Sequence, residues 1–304
     1  MRVLITGAAG FVGRHTASQL RQAGHEPLLT DMRADHAAGI ASLDICSAEA
    51  TDKVVRDLLP DACIHLAGVA FVPDAARDPT RLTAINVDGP LNVARALLRH
   101  SPRARLLFIS SAQVYGFRYR EAPMTEADEL RPGSPYACSK AQAEAALLEL
   151  AATQGLDVVI ARPGNHTGPG QAPRFVVPSF IHAVRDFRDG RRKAVSVGNL
   201  DSERDFTDVR DVVAAYLDIL QKGASGGIFN ISAGMHLRIG DLLTRIAALG
   251  GVEPRIVVDP SLYRPTDAMP RLDTTRLREL GWKPRHTFDQ TLADIWAETE
   301  AAGK

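Results

Sequence analysis

Short apolar runs alternate with longer amphipathic segments from the first residue to about residue 110. A run of four or five apolar residues predicts a buried strand, and apolar residues three and four positions apart predict a helix. This alternation is typical of βα units, which build a parallel sheet with helices on both faces. We therefore predict an α/β fold with a doubly wound parallel sheet of the Rossmann type.

The pattern places individual elements along the chain and continues beyond residue 110. The predicted strands are 3–6, 27–30, 63–66, 106–110, 158–161 and 227–231. The predicted helices are 11–23, 89–98, 136–153 and 208–220.

The segment 162–170 is dense in turn-forming residues, and the helix and strand signals after it are shorter and more mixed. We expect a dinucleotide-binding domain at residues 1–163, to which 206–231 return. A smaller, interleaved α/β substrate domain would comprise 164–205 and 232–304.

Charge and composition limit the function classes. Lys and Arg together number 36, as do Asp and Glu, so the formal net charge is zero and no general nucleic-acid or membrane-surface binding is expected. The three cysteines are too few and scattered for a disulfide framework or a metal site. We expect reduced cysteines, a cytoplasmic location and no metal.

Three glycines, Gly7, Gly10 and Gly13, stand where the first strand passes into the first helix. Glycine is needed there because the turn is tight and the backbone must approach a pyrophosphate closely. The N-terminus of the following helix presents free N–H groups and a partial positive charge. The segment therefore predicts a dinucleotide site.

Asp31 ends the second predicted strand, near the roughly 20-residue distance from the glycines that is expected of a ribose-binding carboxylate. Its charge repels a 2′-phosphate and so favours NAD(H). Arg33, two residues further on, is suited to bind such a phosphate. Both NAD(H) and NADP(H) stay open as the cofactor.

Tyr136 and Lys140 stand four positions apart, on one face of the long predicted helix. Carbonyl reduction needs a proton donor, and a free tyrosine, with a pKa of about 10, is poorly matched to neutral pH. A nearby ammonium stabilises phenolate, so we expect Lys140 and an oxidised nicotinamide to lower the pKa of Tyr136. Ser111 follows a buried strand and lies at the carboxyl edge of the sheet, where ligands bind.

Together these motifs resemble the extended short-chain dehydrogenase/reductase family, also called the NAD-dependent epimerase/dehydratase family. The resemblance includes the GxxGxxG glycine spacing and implies Ser111, Tyr136 and Lys140 as the catalytic residues. The cofactor-binding residues that it implies are Gly7, Gly10, Phe11, Val12, Gly13, Asp31, Arg33, Asp44, Ile45, Leu66, Ala67, Gly68, Asn86, Tyr136, Lys140, Pro163 and His166.

The strings NHTGPGQ, FVVPSF and GNLDSERDFTDVRD look most like family members that act on GDP-linked mannose derivatives. Two arginines that converge from separate segments suit a diphosphate. Spacing along the chain does not show such convergence, and the resemblance alone implies it for Arg204 and Arg264. Gly164 departs from the pattern, since an aromatic residue commonly stands there. The implied substrate-binding residues are Ser111, Gln113, Asn165, Val177, Arg204, Arg264 and Asp267.

Gln113 bears on the reaction, because the family's 4,6-dehydratases carry acidic residues after the catalytic Ser or Thr. An amide cannot exchange protons as a carboxylate does, so dehydration is disfavoured. The resemblance implies NAD(P)H-dependent reduction of GDP-4-keto-6-deoxy-D-mannose to GDP-D-rhamnose. A nucleotide-sugar 4-epimerase with tightly bound NAD is the alternative.

A further alternative is a binding protein that senses the cofactor. The presence of Ser111, Tyr136 and Lys140 argues against it. The resemblance also implies a homodimer, formed through the helix after Asn86 and the long helix at Tyr136. The second domain would then bind the nucleotide sugar.

Overall fold

The computed structural model describes residues 1–69, 78–116, 122–263 and 270–302. Its strands include every strand that the sequence pattern predicts, with ends shifted by one or two residues. The strands are β1 (Arg2–Thr6), β2 (Glu26–Asp31), β3 (Ala41–Ser42), β4 (Ala62–His65), β5 (Arg105–Ile109), β6 (Val158–Pro163), β7 (His166–Thr167), β8 (Val195–Val197), β9 (Glu203–Asp205), β10 (Thr207–Asp208), β11 (Ile228–Ile231), β12 (His236–Arg238) and β13 (Ile256–Val258).

Seven of these strands form one parallel sheet in the order β11-β6-β5-β4-β1-β2-β3. The strand order reverses between β1 and β4, which is the arrangement of a doubly wound sheet. The predicted fold class is therefore confirmed. The edge strand β11 comes from late in the chain and pairs with β6.

The helices include the four that the periodicity predicts. The α-helices are α1 (Phe11–Gln22), α2 (Ala48–Leu58), α3 (Pro79–Thr83), α4 (Gly89–His100), α5 (Pro135–Gln154), α6 (Val176–Arg188), α7 (Val209–Lys222), α8 (Ile239–Gly250), α9 (Thr275–Glu279) and α10 (Phe288–Ala302). No helix of the described ranges is long and apolar enough to cross a membrane.

Each face of the sheet buries its own apolar layer. One layer includes Leu20 of α1 and Ile219 of α7, packed on Ile5 and Ile64 of the sheet. The other layer includes Val55 of α2, Leu97 of α4 and Leu147 of α5. The strands are almost continuously apolar because helices cover both of their faces.

A third apolar cluster lies outside the sheet and joins α6, α8 and α10 to β8. Its members include Ile181, Val195, Leu242 and Leu292. The division into two domains stays a prediction, since the elements of the two parts alternate along the chain. Strand β7 pairs with β10, which brings the loop after β6 beside the start of α7.

A buried ion pair joins β6 to α5. The Arg162 guanidinium donates to Glu144 in three contacts of 2.5–3.2 Å, and both side chains are at most 3% exposed. Arg162 also donates to the Tyr115 hydroxyl at 2.9 Å, which in turn donates to Asn230 of β11. The network fixes the strand that leads to Pro163 against the helix that carries Tyr136.

We expect Glu144→Gln to lower the free energy of unfolding by about 3–5 kcal/mol, because it leaves the Arg162 charge buried without a counterion. Glu149→Gln is the control, since Glu149 is exposed on the same helix and its loss should cost under about 0.5 kcal/mol. Urea unfolding measures both. Equal stabilities of the two variants would contradict the role of the pair.

Candidate active site

A cleft of about 550 Å³ opens at the carboxyl edge of the sheet. It brings together most of the residues that the sequence predicts for a site, drawn from β1, β4, β5, β6 and the helices that follow them. The predicted residues that line it are Gly7, Gly10, Phe11, Val12, Gly13, Leu66, Gly68, Ser111, Gln113, Tyr136, Lys140, Pro163, Asn165, His166 and Val177.

The glycine loop is shaped by close backbone contacts. Gly7 has a φ of +75°, and a Cβ added there would lie 2.8 Å from the Ala67 nitrogen. A Cβ on Gly13 would lie 2.4 Å from the Gly7 carbonyl oxygen. Among the residues that the structure describes, no side chain caps the N-terminus of α1 at Gly10. The loop therefore leaves a bare helix N-terminus facing the cleft, which fits a pyrophosphate.

Charge in the cleft favours an anion. Arg14, Lys140 and Arg174 line it, and no carboxylate lies on its wall within the described part of the chain. Arg14 also donates to the Ala9 and Gly170 carbonyls, which ties α1 to the loop after β7. A phosphorylated ligand meets positive charge along this cleft.

Asp31 lies beside the glycine loop, where its carboxylate accepts from the Ala9 amide at 3.1 Å. Arg33 is exposed just beyond it. The end of β2 thus presents an acidic and a basic side chain near the loop. A carboxylate there suits the ribose hydroxyls of an adenosine.

Three other predicted cofactor residues, Asp44, Ile45 and Ala67, lie outside the described cleft. Asp44 accepts from the Cys46 amide, and Ile45 packs in the core against Gly89. The Ala67 amide donates to the Thr6 hydroxyl. Of the three, Ile45 is buried, Ala67 is half-buried and Asp44 is exposed.

Asn86 also lies outside the described cleft, at 1% exposure. Its Oδ1 accepts from the Val69 amide at 2.8 Å, and its Nδ2 donates to the Ser139 hydroxyl at 3.1 Å. Ser139 donates in turn to the Tyr136 carbonyl. Asn86 therefore joins the loop at Gly68 to α5, the helix of the predicted catalytic pair.

Of the predicted substrate residues, Arg204 does not line the cleft of the described chain. Its guanidinium donates to the Glu203 carbonyl at 2.8 Å. Arg264 and Asp267 lie outside the described residues.

Local structure places the three predicted catalytic side chains. Ser134 caps the N-terminus of α5, so that Tyr136 and Lys140 lie on successive turns of one helix face. Ser111 caps the short 3₁₀ turn after β5 by accepting from the Gln113 amide. The Lys140 ammonium donates to the Ile109 carbonyl at 2.8 Å.

Burial shifts the pKa values of Tyr136 and Lys140. It raises the pKa of Tyr136, and a hydrogen bond with Ser111 offsets part of the rise. The net effect of the described residues on the pKa of Tyr136 is therefore upward, and the lowering expected from Lys140 together with an oxidised nicotinamide stays a prediction. Burial lowers the pKa of Lys140 to about 8, against the opposing charge of Glu144 one turn later. At neutral pH the tyrosine is a proton donor beside a largely charged lysine.

Several polar groups at the cleft have no hydrogen-bond partner among the described residues. The Ser110 hydroxyl and the Gln113 Oε1 are buried and unpaired, and both residues line the cleft. Buried polar groups are normally paired, so these atoms are suited to a ligand. The cleft is therefore suited to a polar ligand, such as a nicotinamide dinucleotide with its substrate, that forms hydrogen bonds with these atoms.

Gly164 lies against Asp205, which explains its departure from the family pattern. A Cβ on Gly164 would lie 2.3 Å from the Asp205 Oδ2. Burial raises the pKa of Asp205 to about 7. The glycine leaves room for a buried carboxyl group that an aromatic residue would displace.

Sequence reasoning missed other residues on the cleft wall, among them Arg14, Arg174, Phe206 and Tyr216. Arg14 directly follows the last glycine of the loop, which was a usable signal. Tyr216 lies in an amphipathic helix, and nothing in its spacing separates it from core residues. No group of three or more His, Cys, Asp or Glu residues is placed to hold a metal in the described ranges.

Comparisons with known proteins agree with this geometry. Residues 3–232 match the family described as NAD dependent epimerase/dehydratase. The chain is 37% identical to GDP-6-deoxy-D-mannose reductase from Pseudomonas aeruginosa, over 99% of this chain and 97% of that protein.

Two solved structures superpose on nearly the whole chain. RMD from Pseudomonas aeruginosa complexed with NADPH superposes with a TM-score of 0.88 at 35% identity, over 99% of both chains. UDP-glucose 4-epimerase from Thermotoga maritima with UDP-glucose superposes with a TM-score of 0.91 at 26% identity, over 100% of both chains.

The lowered pKa of Lys140 predicts a pH-dependent stability. Below about pH 8 the folded and unfolded states both hold the lysine proton, so the full cost of burying the charge is present. Above pH 8 the folded state releases this proton first, and folding gains up to about 1.4 kcal/mol per pH unit until the unfolded lysine titrates. Urea unfolding of the wild type and Lys140→Met from pH 7 to pH 10 should show the wild type gaining relative to the variant. A constant difference across this range would contradict the burial of a charged Lys140.

Proposed function

Because the chain belongs to the NAD dependent epimerase/dehydratase family, we propose that it reduces the C4 keto group of GDP-4-keto-6-deoxy-D-mannose to GDP-D-rhamnose. The observation that carries this proposal is the joining of Ser111, Tyr136 and Lys140 with a glycine loop in one cationic cleft. The similarity to a GDP-6-deoxy-D-mannose reductase over nearly the whole of both chains supports the choice of substrate.

The cofactor would lie along the glycine loop. The N-terminus of α1 would hold the pyrophosphate, and Asp31 would accept from the adenosine ribose. When bound, the reduced nicotinamide supplies hydride for the keto carbon. Arg33 next to Asp31 suits a 2′-phosphate, so both NADH and NADPH are included as cofactors.

The chain's own residues supply the remaining chemistry. Ser111 would donate a hydrogen bond to the substrate keto oxygen, and Tyr136 would transfer its phenolic proton to that oxygen as the carbonyl is reduced. Lys140 keeps a positive charge on the same helix face, which stabilises the phenolate that Tyr136 leaves behind. The Ile109 carbonyl fixes the lysine in that position.

The sugar nucleotide would occupy the side of the cleft formed by Gln113, Asn165 and Val177. Arg174 on the same wall suits the diphosphate. Roles for Arg204, Arg264 and Asp267 stay predictions. The Gln113 Oε1, which has no partner among the described residues, is suited to accept from a sugar hydroxyl. Gln113 carries no carboxylate, which dehydration of the sugar requires.

We expect the purified chain to oxidise NADH or NADPH when GDP-4-keto-6-deoxy-D-mannose is added, with GDP-D-rhamnose as product. Tyr136→Phe should lower the rate by about 10²- to 10⁴-fold, because the proton donor is removed. The absorbance of the reduced nicotinamide measures the rate, and identification of the sugar nucleotide confirms the product.

Cys138→Ser is the matched control, since Cys138 lies between the catalytic pair on α5 but contacts the Pro132 carbonyl. Its rate should equal that of the wild type. Full activity of Tyr136→Phe would contradict the catalytic assignment. A wild type that oxidises neither cofactor and releases stoichiometric NAD⁺ on denaturation would favour the epimerase alternative.

The proposal extends to a homodimer that packs through α4 and α5 and to a cytoplasmic location. In α5, Ala143 and Leu147 are buried, while Ala145 is exposed and Leu148 is half-buried. Leu148 packs partly on the core of the same chain, and the exposed Ala145 is accessible to a second chain. All three cysteines are free thiols, which fits a reducing compartment.

We expect light scattering at micromolar concentration to give twice the mass of one chain, and Ala145→Arg to give the mass of one chain because it places a charge in the interface. Gln22→Arg on α1 is the control and should remain dimeric. A single-chain mass for the wild type would contradict the dimer.

A further inference from the structure

Tyr216 carries a buried hydroxyl that the proposed chemistry does not use. The residue is 0% exposed in α7, and its hydroxyl has no hydrogen-bond partner among the described residues. Its ring packs in the apolar layer of Ile5, Ala8 and Ile64, and the residue nevertheless lines the cleft. A phenylalanine would satisfy the packing equally well, so the hydroxyl calls for a separate explanation.

An unpaired buried hydroxyl is costly. Leaving such a donor without a partner costs about 1–3 kcal/mol relative to an apolar side chain of the same shape. Burial also raises the pKa of Tyr216, with a contribution from Tyr136, so the group is a neutral donor at every pH of interest. The cost falls on the ligand-free protein and would be recovered by a polar group that enters the cleft and accepts from this hydroxyl.

The direction of α7 aims Tyr216 at the cleft. The helix begins after β10, and β10 pairs with His166 and Thr167 at the carboxyl edge of the sheet. Side chains of an α-helix slant toward its N-terminus. Tyr216 therefore slants from its helix toward the edge of the sheet where the cleft opens.

The neighbours of Tyr216 point to the cofactor rather than to the sugar. Phe11 and Val12, which begin α1 after the glycine loop, pack against the same apolar layer as Tyr216. The residues on the sugar side, such as Val177, belong to the separate cluster outside the sheet. Tyr216 thus packs in the same layer as the residues that follow the glycine loop. Tyr136 lines the same cleft and is close enough to Tyr216 to interact with it electrostatically.

We propose that the Tyr216 hydroxyl is a cofactor-binding group that donates a hydrogen bond to a polar atom in the nicotinamide half of the bound dinucleotide. This inference rests on the proposed function, because it needs a dinucleotide in the cleft. It assigns to α7, a helix far from the glycine motif in sequence, a direct contact with the cofactor.

The experiment compares Tyr216→Phe with Tyr115→Phe. Tyr115 is equally buried, but its hydroxyl is fully paired with Asn230 and Arg162 and lies outside the cleft. Cofactor affinity is measured by calorimetric titration of the cofactor-free chain with the reduced dinucleotide that the wild type binds more tightly, and with ADP. Stability is measured by thermal unfolding without ligand.

For Tyr216→Phe we expect the Kd of the dinucleotide to rise about three- to tenfold, the effect of one hydrogen bond, with the Kd of ADP unchanged. The unfolding temperature of the ligand-free variant should be equal to or above that of the wild type. Tyr115→Phe should show the reverse, with a lower unfolding temperature and an unchanged Kd.

An unchanged dinucleotide Kd in Tyr216→Phe would overturn the inference and leave the proposed function intact. Equal weakening of ADP and dinucleotide would overturn the assignment to the nicotinamide half. A wild type that binds neither NADH nor NADPH would overturn the proposed function, and this inference with it.

Discussion

The buried pair of Arg162 and Glu144 is the interaction on which the geometry of the cleft depends. Two charges removed from water require nearly ideal pairing, and the guanidinium meets both carboxylate oxygens. The pair leaves β6 and α5 little freedom to slide, so the loop after β6 and the helix face of Tyr136 keep one relative position. Tyr115 and Asn230 extend the same constraint to the turn of Ser111 and to the sheet edge.

The cleft combines this rigid frame with unsatisfied polar groups. Its walls carry cations and unpaired buried atoms, while the surrounding layers are apolar and closely packed. Such a site is least favourable when empty and gains most from a ligand that is anionic at one end and polar along its length. A nucleotide cofactor with a nucleotide-sugar substrate has this character, and the lowered pKa of Lys140 reflects the same low-dielectric surroundings.

Local patterns predicted the central strands and the helices α1, α4, α5 and α7, because each depends on periodicity or on a few neighbouring residues. The catalytic set was implied by the resemblance of short motifs and stays a prediction, and the structure brings its three residues to one cleft. The helices α2, α6, α8 and α10 were not predicted. The resemblance implied Asn86 and Asp44 as cofactor-binding residues, which stays a prediction; Asn86 is buried and Asp44 is exposed, and neither lines the described cleft. Such placements follow from long-range packing, as does the Arg162 network, whose members come from four separate segments. Spacing along the chain carries no information on which of two buried layers a side chain joins.

The late position of β11 has a consequence for how the chain is made. Residues 228–231 complete the sheet edge beside β6 and bring Asn230 opposite Arg162. Synthesis proceeds at about 5–20 residues per second, so the ribosome adds all of α6 and α7 while this edge stands uncovered. A nascent chain that ends before β11 exposes backbone hydrogen-bonding groups on β6 and a partly satisfied charge network. The protein therefore passes through a stage in which its nucleotide half is nearly complete yet needs protection from pairing with other chains.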